Sequence, residues 1–327
     1  MKEFDRKAFL WIYDKLNNTG SVDRNDIIEE CKLSEKSVSR YIKSINDYFS
    51  ERHIDKKIVF NGIKKVYEIK GHKGTILNER DVLSISKVLL ESRGFCKEEM
   101  TYILDKLLYN CVSYDKKIVN SIIGNENYNY ISVKHNEKLI DKLWDLSLAI
   151  KNQFVLEIEY CKIKKGGKVE EVPCKKYIKP VAILFSEYYF YLAAYKEEKN
   201  YEYPTIYRVD RIKNYKSAER KFSIEDSSRF KDGEFKKLIQ FMQTGKLERV
   251  RFKFKGPSVE AVLDRLPNAK IIDEKQGEFT IETKMFGQGI KMWLLSQGDS
   301  IEVLSPKDFR EEMKNTIERM KEMYKTC

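Results

Sequence analysis

The apolar positions of the first seventy residues recur with helical period, broken by short polar turns. In "DRKAFLWIYDKL" the side chains of Phe9, Ile12, Tyr13 and Leu16 share one stripe. "SVDRNDIIEECK" offers Ser21 or Asp23 as a cap and turns Ile27, Ile28 and Cys31 inward. After the turn "KLS", Ser34 is placed to cap "EKSVSRYIKSINDYF", where Val38, Ile42, Ile45 and Phe49 recur at spacings of four, three and four. At about 100° per residue, Lys36, Arg40 and Lys43 project from the opposite side, flanked by Ser37 and Ser39. Next comes "KKIVFNGIKKVYEIKG", in which Asn61-Gly62 predicts a two-residue hairpin with Lys64 and Lys65 near its tip.

Residues 78–152 show no strand pattern. "NERDVLSISKVLLESR", "KEEMTYILDKLLYNCV" and "NEKLIDKLWDLSLAIKN" predict amphipathic helices, a connector that packs domains or pairs two chains. From residue 153 the period becomes two. "FVLEIEYCKI", a turn at Gly166-Gly167, "KKYIKPVAIL", "YYFYLAAYKE" and "TIYRVDRIKNYKS" predict short strands in a small, strongly curved barrel or sandwich. Pro180 is expected to begin a strand or lie at an edge, since it cannot donate to a ladder. From residue 247 the order is strand, helix, hairpin, helix, strand, helix, which suits a ferredoxin-like unit. The fold class is therefore α+β and multidomain, with boundaries at 1–72, 73–152, 153–221 and 222–327.

Length supports this division, because 327 residues exceed one ordinary core. The net charge of +11 is unevenly spread: residues 151–221 carry +6, residues 1–70 carry +3 and residues 71–150 are neutral. Such an excess favours an anionic partner. Charged residues interrupt the first helix and no apolar run spans a bilayer, so a soluble, cytoplasmic chain is expected, without a membrane partner. The six cysteines form no C-x-x-C pair and lie far in sequence from the three histidines. Free thiols in a reducing compartment are expected, with no metal and no cofactor. The absence of a phosphate loop, a nucleophile elbow or metal spacing argues against an enzyme.

A helix, a tight turn, a helix with outward cations and then a basic hairpin form the pattern of a winged helix-turn-helix. Its candidate DNA contacts are Lys36, Ser37, Ser39, Arg40 and Lys43 on the helix, with Lys64 and Lys65 on the wing. The planar fork of Arg40 suits a guanine edge, and the lysines suit phosphates. The competing reading is a solvated helix face beside an ordinary hairpin.

"EYYFYLAAY" packs five rings into nine residues. "YFYLAAY" followed by "YRVDRI" resembles the signature of the WYL domain, with Phe190-Tyr191-Leu192 standing where the family has Trp-Tyr-Leu. "YIKPVAILFSEYYFYL" extends the likeness, and "IKMWLLSQGDSIEVLSPKDFREEMKNTIERM" resembles the extension domain that often follows. The resemblance implies a bacterial transcriptional regulator, typically a homodimer, with an Sm-like or SH3-like barrel that senses single-stranded DNA, other nucleic acid or a nucleotide-like effector. Some relatives sit beside phage-defence or CRISPR genes. Candidate ligand residues are Tyr160, Lys176, Tyr191, Tyr207, Arg208 and Arg211, since arginine offers a fork and tyrosine a ring. Alternatively, Arg208 and Arg211 form a structural ion pair with Asp210 or with a carboxylate of a partner chain. By period two, Tyr188, Phe190, Leu192 and Ala194 are expected in the core. Tyr189, Tyr191, Ala193 and Tyr195 are expected on a partly wet face. The expected function is a ligand-responsive regulator on double-stranded operator DNA. The alternative is an RNA-binding accessory protein of an effector nuclease.

Overall fold

The computed structural model describes residues 3–52, 54, 56–71, 77–109, 113–164, 172–198, 202–223 and 230–325. The chain divides into two compact units, Met1–Ser132 and Val133–Cys327.

The first unit opens with α1 (Glu3–Thr19), a short strand β1 (Ser21–Asp23), α2 (Arg24–Cys31), α3 (Glu35–Glu51) and the hairpin β2 (Lys56–Asn61) and β3 (Val66–Gly71). Asp23 caps α2 and Ser34 caps α3, each side chain accepting from a first-turn amide. The stripe Val38, Ile42, Ile45 and Phe49 is buried, joined by Tyr41, against Ile12, Leu16 and Ile27. Burying each such side chain contributes about 1.5–3 kcal/mol. The sheet order is β1-β3-β2, all antiparallel. The strand β1 is too short to leave a pattern in the sequence.

The hairpin loop differs from the two-residue expectation. Asn61 pairs with Val66, so four residues form the loop, and the positive φ falls on Lys65 at 56° rather than on Asn61 or Gly62. The cause is the Asn61 side chain, whose Oδ1 accepts from the amides of Ile63 and Lys64 and folds the loop around itself.

Three further helices complete this unit: α4 (Glu79–Ser92), α5 (Lys97–Tyr109) and α6 (Ser113–Tyr128). Asn78 and Asp81 build a reciprocal capping box on α4. The three helices share a separate core around Leu90, Met100, Leu104 and Ile123.

The second unit begins with α7 (Ile140–Lys151), which packs on a five-stranded antiparallel sheet. Its strands are β4 (Phe154–Tyr160), β5 (Cys174–Ser186), β6 (Tyr189–Lys196), β7 (Thr205–Arg208) and β8 (Ile212–Lys221), in the order β7-β6-β5-β4-β8. A 3₁₀ turn, Val209–Arg211, carries the chain from one edge to the other. Among the described residues no ladder joins β7 to β8, so the sheet is open and not the closed barrel expected. The four-residue β7 ends where the turn begins, before it can pair with β8. Nor does Pro180 lie at an edge: β5 is central. The β4 ladder ends at Ile178, and a register shift follows Pro180 opposite β6, so its missing N–H interrupts no bond to β4. The expected turn at Gly166-Gly167 lies outside the described residues.

Both faces of this sheet are covered. Leu192 and Ala194 face α7, with Leu146 and Ala149 in the same core. Ala193 and Tyr191 face a second cluster that contains Phe235 from α8 (Asp232–Lys236), Ile239 and Phe286. On the face expected to be partly wet, Tyr189, Tyr191 and Tyr195 are half-buried and Ala193 is fully buried. Tyr188, expected in the core, lies outside β6 in the turn before it and is 40% exposed.

The remaining elements are β9 (Leu247–Phe254), α9 (Val259–Arg265), β10 (Lys270–Lys275), β11 (Glu278–Phe286), α10 (Gly287–Ser296), β12 (Ile301–Ser305) and α11 (Lys307–Met323). The sheet order β10-β11-β9-β12, all antiparallel, interleaves two βαβ units as the ferredoxin-like pattern requires. Its core gathers Phe252, Ile281, Ile290, Trp293 and Phe309.

Candidate nucleic-acid and effector surfaces

On α3 the buried stripe fixes which side faces water. Lys36, Ser39, Arg40 and Lys43 are exposed, while Ser37 is half-buried with its hydroxyl 3.1 Å from that of Ser34. Arg40 rests its guanidinium 5.4 Å from the Tyr41 ring. The hairpin is registered to this helix by Asn46, which donates to the Ile58 carbonyl at 2.9 Å and accepts from the Ile58 amide at 2.7 Å. Arg24 adds a second tie. Its amide donates to the Lys65 carbonyl at 3.1 Å, and its guanidinium lies 5.1 Å from the Phe60 ring and 3.5 Å from Glu35. Lys64 and Lys65 are exposed, with Lys64 3.9 Å from Glu68. Between Gly62 and Lys64 stands Ile63, 97% exposed. Asn46, Arg24 and Ile63 were not selected from the sequence. Asn46 sits among ordinary helix residues, and only the fold reveals its partner.

The sensor candidates separate into two groups. Tyr160 and Tyr207 are 9% and 1% exposed, with rings in edge contact at 5.1 Å inside the sheet core. The Lys176 ammonium lies 5.2 Å from one ring and 5.1 Å from the other. Both rings are enclosed and not open to a ligand, while Lys176 is half-buried. The Tyr160 hydroxyl accepts from the Arg208 amide at 3.3 Å and links this interior to the second group.

That second group surrounds the 3₁₀ turn. Arg208 donates from Nε and Nη2 to both oxygens of buried Asp210, at 3.0 and 2.8 Å. Its plane lies 3.4 Å from the Tyr189 ring centroid. Burial works against the guanidinium's charge, but Asp210 and Tyr189 outweigh it and hold its pKa above the usual value. Arg211 makes no ion pair among the described residues, and its Nε is buried without a hydrogen-bond partner there. Tyr191 pairs across the strands with Arg208. Burial pushes the Tyr191 phenol up, while Arg208 and Arg211 oppose the shift, so the ring stands within the field of both cations.

Three residues from outside the aromatic strand complete the surface. His135 places its ring 6.1 Å from Tyr189, which is itself 6.4 Å from Tyr191, giving a row of three rings. The His135 Nδ1 accepts from the Glu137 amide, and its Nε2 is buried without a partner among the described residues. Burial holds the imidazole below its ordinary pKa, with Asp210 opposing and Arg208 reinforcing. Lys142 donates to the Ile212 carbonyl at 2.9 Å, and burial lowers its pKa. Lys213 is bonded to Glu137 at 2.8 Å, which raises its pKa. A row of rings beside guanidinium and ammonium groups can stack flat groups and hold an anion. Among the described residues no cluster of three side chains can hold a metal ion. Nor is any helix there long and apolar enough to cross a membrane.

Two family models match within the second unit. The WYL domain model matches residues 141–217, and the WCX domain model matches residues 246–321. The first match begins within α7, which joins that helix to the sheet it packs on. No curated protein matches the chain. Among solved structures, the proteasome accessory factor PafBC of Arthrobacter aurescens aligns at 11% identity and TM-score 0.31. That alignment covers 94% of this chain, which spans about half (47%) of the other. A CRISPR Cas-related protein aligns at 15% identity and TM-score 0.41, covering 99% of this chain and 92% of the other. Neither score reaches 0.5, so these likenesses carry no weight for fold or function.

Proposed function

Since the chain belongs to the WYL-domain proteins and carries a WCX domain behind its WYL domain, we propose that it is a DNA-binding transcriptional regulator whose WYL domain senses a nucleic-acid or nucleotide-like anion. The observation that carries the DNA half is the geometry of α3. An exposed row of Lys36, Arg40 and Lys43 is held by Asn46 in fixed register with a hairpin that presents Lys64 and Lys65. In this reading α3 enters the major groove, Arg40 reads a base edge and the hairpin is the wing. A two-fold dimer would read half-sites about one helical turn apart or a multiple of that.

For the sensor half, support comes from the row His135, Tyr189 and Tyr191 beside Arg211, whose Nε has no partner among the described residues. Stacked bases and phosphates are the chemistry such a row accepts. An effector bound there alters operator affinity only so far as it prefers one DNA-binding state over the other. The same rings suit single-stranded RNA, which keeps the accessory-protein reading in view. Arg40→Ala separates the two. As a regulator the variant binds duplex more weakly and keeps oligonucleotide binding; as an accessory protein the substitution leaves RNA binding, the activity that matters, untouched and duplex affinity negligible throughout.

A further inference from the structure

A strained turn outside both surfaces builds a second site. Phe241 and Met242 both hold left-handed backbone, with φ of 52° and 53°, a conformation that residues with a Cβ rarely adopt. Gln240, 7% exposed, clamps the turn: its Nε2 donates to the Arg265 carbonyl at 2.9 Å. From the other side α10 packs so closely that a Cβ on Gly289 would lie 2.4 Å from the Gln240 carbonyl oxygen. Held in this way, the Phe241 ring lies 5.1 Å from the Arg265 guanidinium.

Both border a cavity of about 510 Å³, floored by Phe254 and Trp293 and edged by Ser258 and Gln297. That volume lies in the range of small-molecule sites. The floor depends on Gly256, where a Cβ would meet the Phe254 ring at 2.4 Å. Arg265, its side chain 38% exposed, lines the cavity. Its Nη2 donates to Glu187 at 3.1 Å, while its Nε is buried without a partner among the described residues. The edge formed by Nε and Nη2 is one that takes a carboxylate with two parallel bonds. Glu187 sits in the turn before β6, itself left-handed at φ 58°, and supplies only one.

We infer that this cavity binds a small aromatic carboxylate. The ring lies among Phe241, Phe254 and Trp293, and the carboxylate takes both donors of the Arg265 edge and displaces Glu187. Glu187 is the internal stand-in that identifies the anion as a carboxylate, and the aromatic lining identifies the rest of the ligand.

The test is a titration of the full chain with trans-cinnamate, followed by calorimetry and by tryptophan emission, with cinnamyl alcohol as the uncharged control. The chain has three tryptophans, and Trp293→Phe assigns the optical signal to the cavity. Saturable cinnamate binding is expected, weakened at least about tenfold in Arg265→Met. Glu187→Gln is expected to bind several-fold more tightly because the competing carboxylate is gone, a gain that misfolding cannot produce. No saturable binding in either the native chain or Glu187→Gln overturns the inference. So does binding that Arg265→Met leaves unchanged or that cinnamyl alcohol matches.

Discussion

Asp210 receives two hydrogen bonds from Arg208, and Arg211, three residues further along, has no carboxylate among the described residues. In the proposed function the two arginines divide structure from binding. Asp210→Ala leaves a guanidinium with a side chain only 19% exposed and no counter-charge. It should lower unfolding stability in urea by about 3 kcal/mol. Arg211→Ala should leave the urea midpoint nearly unchanged and reduce the salt slope of oligonucleotide binding by about one. His135 adds a pH dependence. Burial holds its folded pKa below the ordinary 6.5, so the unfolded chain takes up a proton that the folded site resists. Its contribution is complete above that value and is lost as the pH falls through the folded pKa. His135→Gln should flatten the loss of stability as the pH falls below 6.5, read by urea denaturation at each pH. At this scale the sequence was legible in part. Both readings of Arg208 were visible, but the pairing with Asp210 needed the 3₁₀ turn. Tyr207 looked like a ligand ring because alternation separates two faces of a strand without saying that both are covered. His135 and Lys142 escaped notice because they lie more than forty residues before the aromatic strand.

Among the elements, α3 has the clearest sequence signal: its four-residue stripe, its cap and its exposed cations all follow from spacing. Ser34→Ala should cost about 1 kcal/mol of stability through the lost cap, measured by thermal or urea unfolding. Arg40→Ala should weaken operator binding by about 1–3 kcal/mol and relax preference at one base position, read by competition with single-base operator variants. Lys64→Ala should weaken binding to all duplexes alike. The elements that were missed have physical reasons. Helix α6 carries Gly124 and several asparagines, so its buried pair Val119 and Ile123 does not extend into a long stripe. Strand β1 has three residues and one buried side chain. The hairpin loop follows side-chain hydrogen bonding by Asn61, which overrides the dipeptide preference at Asn61-Gly62.

Over the whole molecule, charge and period located the candidate surfaces but not what lies behind them. The segment with the largest positive excess carries most of the candidate effector surface. Its sheet is backed by residues 230–247 and Phe286, so Tyr191 touches both the cationic turn and the cluster that continues into the WCX domain. No local pattern could reveal that packing, because it joins elements far apart in sequence. In the proposed function one chain both binds duplex DNA through α3 and responds to an anion at the 3₁₀ turn. The most direct measurement is the affinity for the duplex upstream of its own gene, by fluorescence anisotropy, with and without a short single-stranded DNA oligonucleotide. The expected result is a change in duplex affinity that Arg211→Ala abolishes and Arg265→Met preserves. Unchanged duplex affinity together with no oligonucleotide binding would contradict the account.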